Sequence, residues 1–194
     1  MRWGAIIVAA GSGSRFGRPK QLVELAGAPM LSWSLRTLAS MPEITDVVIV
    51  TEPDCVEPIA SMASQAAPGK AILVVPGGAT RQGSSRAGIE ALHERVDAVL
   101  IHDGARPLVH ASDVRRGMSA IADGRAALLA LPVVDTIKVV DAGKGTVLRT
   151  LDRDQLWAAQ TPQFATLRDM RRAHLDAARS GADSTDDATL LERA

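Results

Sequence analysis

Tyrosine is absent from this chain of 194 residues, phenylalanine occurs twice and tryptophan three times. The core must therefore be built from Ala, Val, Leu and Ile, and the aromatic platforms on which single-stranded nucleic acids stack are excluded. Net charge is lacking as well: 22 basic side chains balance 22 acidic ones, so no overall basic field draws in DNA or RNA. The single cysteine, Cys55, can form neither an intramolecular disulfide nor a cysteine-based zinc site, and it suits a reducing cytosol. The four histidines show no metal-ligand spacing. Long apolar runs are missing too; the one that opens the chain and ends at Ala10 is too short to span a bilayer. These absences describe a cytoplasmic protein with neither membrane nor nucleic-acid partners. What is present, 46% hydrophobic residues, suffices for one packed domain over 1–194.

Short β-branched runs alternate with amphipathic segments. Strands are expected over 5–9, 47–51, 72–75, 98–102 and 127–131, with helices over 30–39, 56–65, 81–93 and 112–123 between them. In the first helix Leu31, Leu35 and Leu38 share a face. Continuous apolar strands separated by helices imply a doubly wound, mostly parallel α/β sheet of Rossmann-like type, covered on both faces. After Pro132 the rhythm changes. The runs 136–140 and 147–151 flank Asp141-Ala-Gly-Lys-Gly145, good hairpin-turn chemistry, so the segment of about 134–153 should form an edge ribbon or an arm projecting from the domain. A strand edge exposed in this way calls for a second copy, hence a homodimer. Helices over 166–180 and 186–193 close the chain.

The segment after the first strand carries the chemistry. Gly11-Ser-Gly-Ser-Arg-Phe-Gly-Arg-Pro-Lys20 holds three cations, Arg15, Arg18 and Lys20, and the first acidic residue of the chain is Glu24. Loops at the carboxyl ends of parallel strands form the ligand crevice, and glycines let backbone N–H groups approach phosphate. A polyphosphate would supply the missing negative charge. Neither standard fingerprint fits: Phe16 stands where a dinucleotide loop has its third glycine, and Gly17 is followed by Arg-Pro-Lys rather than Lys-Ser.

Ala9-Ala-Gly-Ser-Gly-Ser-Arg15 with Pro19-Lys-Gln21 resembles the signature of sugar nucleotidyltransferases. Further blocks follow in order: Gly77-Gly-Ala-Thr-Arg81 with Ser84, His102-Asp-Gly-Ala-Arg-Pro107, Pro132-Val-Val-Asp-Thr-Ile-Lys138, Asp152-Arg153, Thr161-Pro-Gln-Phe164 and Thr185-Asp-Asp187. Together they are similar to the 2-C-methyl-D-erythritol 4-phosphate cytidylyltransferases of the non-mevalonate isoprenoid pathway. The resemblance implies transfer of CMP from CTP to a polyol phosphate with release of pyrophosphate. It gives Arg15 and Lys20 transition-state stabilisation. Ala9, Ala10, Gly11 and Gly13 would hold the nucleotide through backbone groups, and Gly78, Arg81 and Ser84 would add contacts. Asp103, Arg106, Thr161 and Thr185 fall on the acceptor side. Thr136 and Arg153 would reach the partner's site from the arm, Arg153 orienting the attacking phosphate. Mg2+ is implied, with Asp103 as a candidate ligand and the CTP phosphates as its main holders.

Read without the resemblance, several of these residues have plainer roles. Asp103 and Arg106 can form an ion pair, and Arg153 between two aspartates is a neutralised surface arginine. Thr161 can be a turn residue before Pro162, Thr185 a helix cap, and His102 a satisfied near-core histidine. The family pattern also continues past Ala194 with a strand and a substrate-positioning lysine, so the sequence reads as truncated or as part of a fusion. A ribitol 5-phosphate cytidylyltransferase and a non-catalytic nucleotide-binding module are the competing readings.

Overall fold

The expected apolar runs do become strands, and their order is that of a doubly wound sheet. The computed structural model describes residues 1–11, 20–121 and 125–194. From the N-terminus come β1 (Trp3–Ala9), a short ribbon of β2 (Glu24–Leu25) and β3 (Ala28–Pro29), then α1 (Met30–Ala39) and β4 (Ile44–Thr51). They are followed by α2 (Val56–Ala66), β5 (Ile72–Pro76), α3 (Arg81–Ala91), β6 (Ala98–Asp103) and α4 (Ala111–Ala120). The chain continues with β7 (Ala127–Pro132), an arm of β8 (Lys138–Asp141) and β9 (Thr146–Thr150), β10 (Trp157–Thr166), α5 (Leu167–Ser180) and α6 (Asp187–Arg193). The main sheet runs β5-β4-β1-β6-β10-β7, parallel from β5 to β6.

Alternation along the strands divides the core in two. Ala5, Ile7 and Ala9 of β1 face Leu31, Leu35 and Leu38 of α1, Ile59 and Ala63 of α2 and Val114 of α4. Ile6 faces the other way, towards Ile89 of α3 and Leu167 and Met170 of α5. The three leucines of α1 are fully buried, as their spacing requires.

Sequence reasoning did not find β10. It enters the sheet antiparallel, between β6 and β7, and pairs with both. Pro162 argues against a central strand, because proline has no N–H for the ladder. The strand accommodates it in a bulge: between Ala159 and Gln163 four steps along β10 oppose two along β7. Phe164, just past the bulge, is fully buried and edge-to-face with Trp3. A Cβ on Gly117 of α4 would lie 2.3 Å from the Phe164 ring, so only glycine lets that helix sit so close to β10.

Other boundaries shift slightly. The helix expected over 112–123 ends at Ala120, where Ile121 turns extended at ψ 135. The one expected over 81–93 stops at Ala91. Thr166 and Asp186, expected inside their helices, instead cap α5 and α6 by accepting the N–H groups of Asp169 and Thr189. Among the described residues β8 and β9 pair only with each other, in the hairpin anticipated for the arm.

Candidate active site

Four parallel strands present their carboxyl ends at one edge of the sheet, and a cleft of about 790 Å³ opens there. Ala9 ends β1, and Ala10 and Gly11 continue into the cleft wall. Gly78 follows β5, while Arg81 and Ser84 come from the first turn of α3. A Cβ on Gly77 would lie 2.6 Å from Cβ of Ala10 and 2.7 Å from Oγ of Ser84. Glycine there is what lets the ends of β1 and β5 converge. Thr80 caps α3 by accepting the N–H of Gly83 at 3.0 Å, and Ser84 donates its hydroxyl back to the Thr80 carbonyl at 2.9 Å.

Lys20 also lines the cleft, at the start of a short 3-10 turn, Lys20–Leu22. Its carbonyl accepts the N–H of Val23, whose own carbonyl accepts the N–H of Met30 at the start of α1. The backbone of Lys20 is thereby tied to a buried helix. Gln21 beside it is buried against the cleft with its Nε2 lacking a hydrogen-bond partner among the described residues. Arg15 and Gly13 lie outside the described residues.

Asp103, the last residue of β6, stands at the boundary with a second cavity of about 220 Å³. Arg106, Thr161 and Thr185 line that second cavity, so the structure brings all four expected acceptor-side residues of this group together. Oδ1 of Asp103 accepts Nε and Nη2 of Arg81 at 3.3 and 3.2 Å, and Oδ2 accepts Nε of Arg106 at 3.3 Å. The Asp103–Arg106 ion pair foreseen from the sequence thus forms, and Arg106 also donates to Oε1 of Gln160. Thr185 does not cap α6; Asp186 does.

Thr161 is not a surface turn residue. It is buried in β10, where its Oγ accepts the backbone N–H of Asp103 at 3.1 Å and lies 3.0 Å from Nδ1 of His102. Nε2 of His102 is 3.0 Å from the Arg106 carbonyl, which can only accept, so Nε2 carries the ring proton. Nδ1 is then the acceptor for the Thr161 hydroxyl. One buried imidazole therefore fixes both the β6 loop and β10 where they meet the second cavity.

Burial pushes His102 below the usual imidazole range, and its bond to the Arg106 carbonyl only partly offsets this. The unfolded chain, with an ordinary value near 6.5, therefore takes up a proton that the folded chain resists. Stability should rise with pH across that interval and be lost as pH falls below about 6.5. The urea midpoint is expected to drop between about pH 7 and pH 5.5, and to drop less in His102→Gln. Equal slopes in the two proteins would show that His102 does not titrate in this way.

Arg81 is the residue whose setting was not legible in the sequence. Its Nη1 reaches Oδ2 of Asp187 at 2.8 Å, so the guanidinium bridges two carboxylates. Burial works against its charge, but Asp187 and Asp103 outweigh this and raise its pKa. Asp187 is lowered despite its burial, by the hydrogen bond from His174 and by the charge of Arg81. The partners of Gln163 were not legible either: it donates to Asp186 at 2.9 Å and accepts the N–H of Ala188 at 2.8 Å, fastening α6 to β10.

Thr136 and Arg153 flank the arm and line neither cavity. Arg153 donates instead to the Val134 carbonyl at 3.2 Å. Within one chain, then, these two share neither cavity with Asp103. The carboxylates lining the cleft among the described residues are Asp103 and Glu52. Asp103 is engaged by two arginines, and no group of three metal-ligating side chains occurs among the described residues. That donor set suits a cation held mostly by phosphate oxygens with few carboxylate ligands.

Comparison with known proteins leads to one family. The family model of 2-C-methyl-D-erythritol 4-phosphate cytidylyltransferase (IspD) matches residues 4–194. A protein of that name from Prochlorococcus marinus (strain MIT 9313) is 44% identical over 97% of this chain and 83% of its own length. The crystal structure of 4-diphosphocytidyl-2C-methyl-D-erythritol synthase from Anaerococcus prevotii matches with a TM-score of 0.88 at 29% identity, over 98% of this chain and 81% of that one. The 2-C-methyl-D-erythritol 4-phosphate cytidylyltransferase of Thermus thermophilus matches with a TM-score of 0.79 at 30% identity, over 100% of this chain and 84% of the other.

Proposed function

The chain belongs to the 2-C-methyl-D-erythritol 4-phosphate cytidylyltransferase family, and from that premise we propose how its two cavities transfer CMP from CTP to the polyol phosphate of the non-mevalonate isoprenoid pathway. The larger cleft takes CTP and the smaller cavity takes the acceptor. The observation that carries this reading is that the two cavities adjoin through shared walls, Arg81 and Asp103.

In the reaction an oxygen of the acceptor's phosphate bonds to the α-phosphorus while the bond to the bridging oxygen of pyrophosphate breaks. The protein needs to hold two polyanions in line and neutralise the charge that builds up at phosphorus. Lys20 supplies a compact charge from a fixed backbone, and Arg15, five residues earlier in the same basic stretch of sequence, supplies a planar fork. Ala9, Ala10, Gly11 and Gly78 place no bulky side chain between backbone and nucleotide, with Arg81 and Ser84 beside them; Gly13 is assigned to the nucleotide on the family pattern alone. Arg106 and the hydroxyl of Thr185 contact the acceptor. Thr161 reaches it only through a remaining lone pair, since its proton goes to His102. A divalent cation such as Mg2+ would neutralise the triphosphate when bound; the phosphates would hold it, with Asp103 as its protein ligand.

Thr136 and Arg153 complete the acceptor site of a second copy. Exposed Val140, Val147 and Leu148 on the arm, with Leu131 and Val134 near its base, support a homodimer built on this apolar surface. No helix among the described residues is long and apolar enough to cross a membrane. A cytoplasmic location accords with the one buried, unpaired Cys55.

Pyrophosphate release from CTP and Mg2+, measured with methylerythritol, ribitol and glycerol phosphates, tests the assignment. Release should be fastest with 2-C-methyl-D-erythritol 4-phosphate. A preference for ribitol phosphate would overturn the acceptor and leave the chemistry standing. CTP binding without release from any acceptor would make the protein a nucleotide-binding module.

A further inference from the structure

Asp187 lies behind the wall of the site, at the first position of α6, and is 0% exposed. A carboxylate so deeply buried persists only where donors surround it. Three do. Nη1 of Arg81 at 2.8 Å and Oγ of Ser85 at 3.3 Å donate to Oδ2, and Nε2 of His174 at 3.0 Å donates to Oδ1. The first two come from α3 and the third from α5, so the carboxylate joins three helices.

Arg81 does not stop at Asp187. Its Nε and Nη2 continue to Oδ1 of Asp103, inside the cleft. Among the described residues these two carboxylates are the hydrogen-bond partners of Arg81. A planar guanidinium held along two of its edges has its plane fixed; held along one, it can swing about its side-chain torsions. The other oxygen of Asp103 is held by Arg106, three residues further along the same loop. Arg81 is therefore the tie that references the Asp103 side chain to the helical layer, and Asp187 anchors that tie.

We propose that Asp187 is a positioning residue for cytidylyl transfer: from behind the site it fixes the Arg81 guanidinium and, through it, the carboxylate of Asp103 at the boundary of the two cavities. The inference rests on the transfer reading above. A purely structural ion pair would change melting behaviour alone, whereas this one should change how the folded enzyme uses its acceptor.

Asp187→Asn is the direct test. The amide keeps the shape, can turn its oxygen to Arg81 and Ser85, and leaves its NH2 facing His174. That imidazole can move its proton to Nδ1, which has no partner now. In the folded variant kcat/KM for the polyol phosphate should fall by about tenfold or more, with Kd for CTP within about threefold of wild type. Because the residues act as a unit, Asp187→Asn should add little to the loss already caused by Arg81→Met. Arg81→Lys keeps the charge but cannot bridge two carboxylates, and it should reproduce the loss even if Asp187→Asn fails to fold. Wild-type kcat/KM in Arg81→Lys, losses that simply add, or a matching loss of CTP affinity in Asp187→Asn would each overturn the proposal. If the wild-type protein transferred no CMP at all, the Arg81 Nε–H resonance would still decide. Slow solvent exchange that is lost in Asp187→Asn supports the anchoring, and unchanged exchange refutes it.

Discussion

Replacing Lys20 with alanine is expected to cut turnover by about a thousandfold, roughly 4 kcal/mol of barrier, while Kd for CTP changes by only a few-fold. The expectation follows from where charge appears. CTP already carries its negative charge in the ground state, so a cation near it contributes there to binding alone. The pentacoordinate transition state adds charge at the α-phosphoryl group, where a preorganised cation gains most. Lys20 meets that requirement through its backbone, which is tied by Val23 and Met30 to a buried helix instead of being free on a surface loop. Steady-state kcat together with calorimetric titration of CTP separates the two quantities. Losses of equal size in kcat/KM and in CTP affinity, with kcat intact, would make Lys20 a uniform binding residue.

Mixing two inactive variants should restore activity. If Arg153 acts on the partner's acceptor, a dimer of Lys20→Ala with Arg153→Ala has one site carrying both defects and one carrying neither. With random exchange of subunits, half of the dimers are mixed, and about a quarter of wild-type activity should return. Each variant alone would remain nearly inactive. The geometry motivating this is plain: Arg153 bonds to the Val134 carbonyl at the foot of the arm and lines neither cavity of its own chain. Mixed samples with no activity above their components would place Arg153 in its own chain's site, or would mean that no dimer forms.

The parallel half of the sheet was legible because its strands are continuous apolar runs, and α1 because three leucines recur on one face. The basic segment ending at Lys20 stood out by charge alone. β10 was hidden by Pro162 and by the polar pair Gln160 and Thr161, since a bulge can be located only when the opposite strand is known. The role of Asp187 was hidden for a related reason. Next to Asp186 at the start of a helix, it reads as first-turn charge, and nothing local says that its neighbour caps the helix while it turns inward to Arg81. His102 was read correctly as a satisfied histidine, yet its partners, Thr161 and the Arg106 carbonyl, are 59 and 4 residues away. Local pattern identifies elements and unusual charge; the pairing of buried polar groups needs the fold.

The antiparallel insertion of β10 also sets an order of assembly during synthesis. Among the described residues β7 pairs only with β10, so residues 127–132 have no sheet partner until residues 157–166 have left the ribosome. The strands that carry the larger cleft can associate from the N-terminal part of the nascent chain, once β6 has emerged to pair Ala98 with Trp3 of β1. The smaller cavity, which we propose for the acceptor, waits for β10, because Gln160, Thr161 and Gln163 form one of its walls. During that interval the chain exposes an apolar strand edge, the kind of surface at which translation pausing or chaperone capture would alter the yield of finished protein.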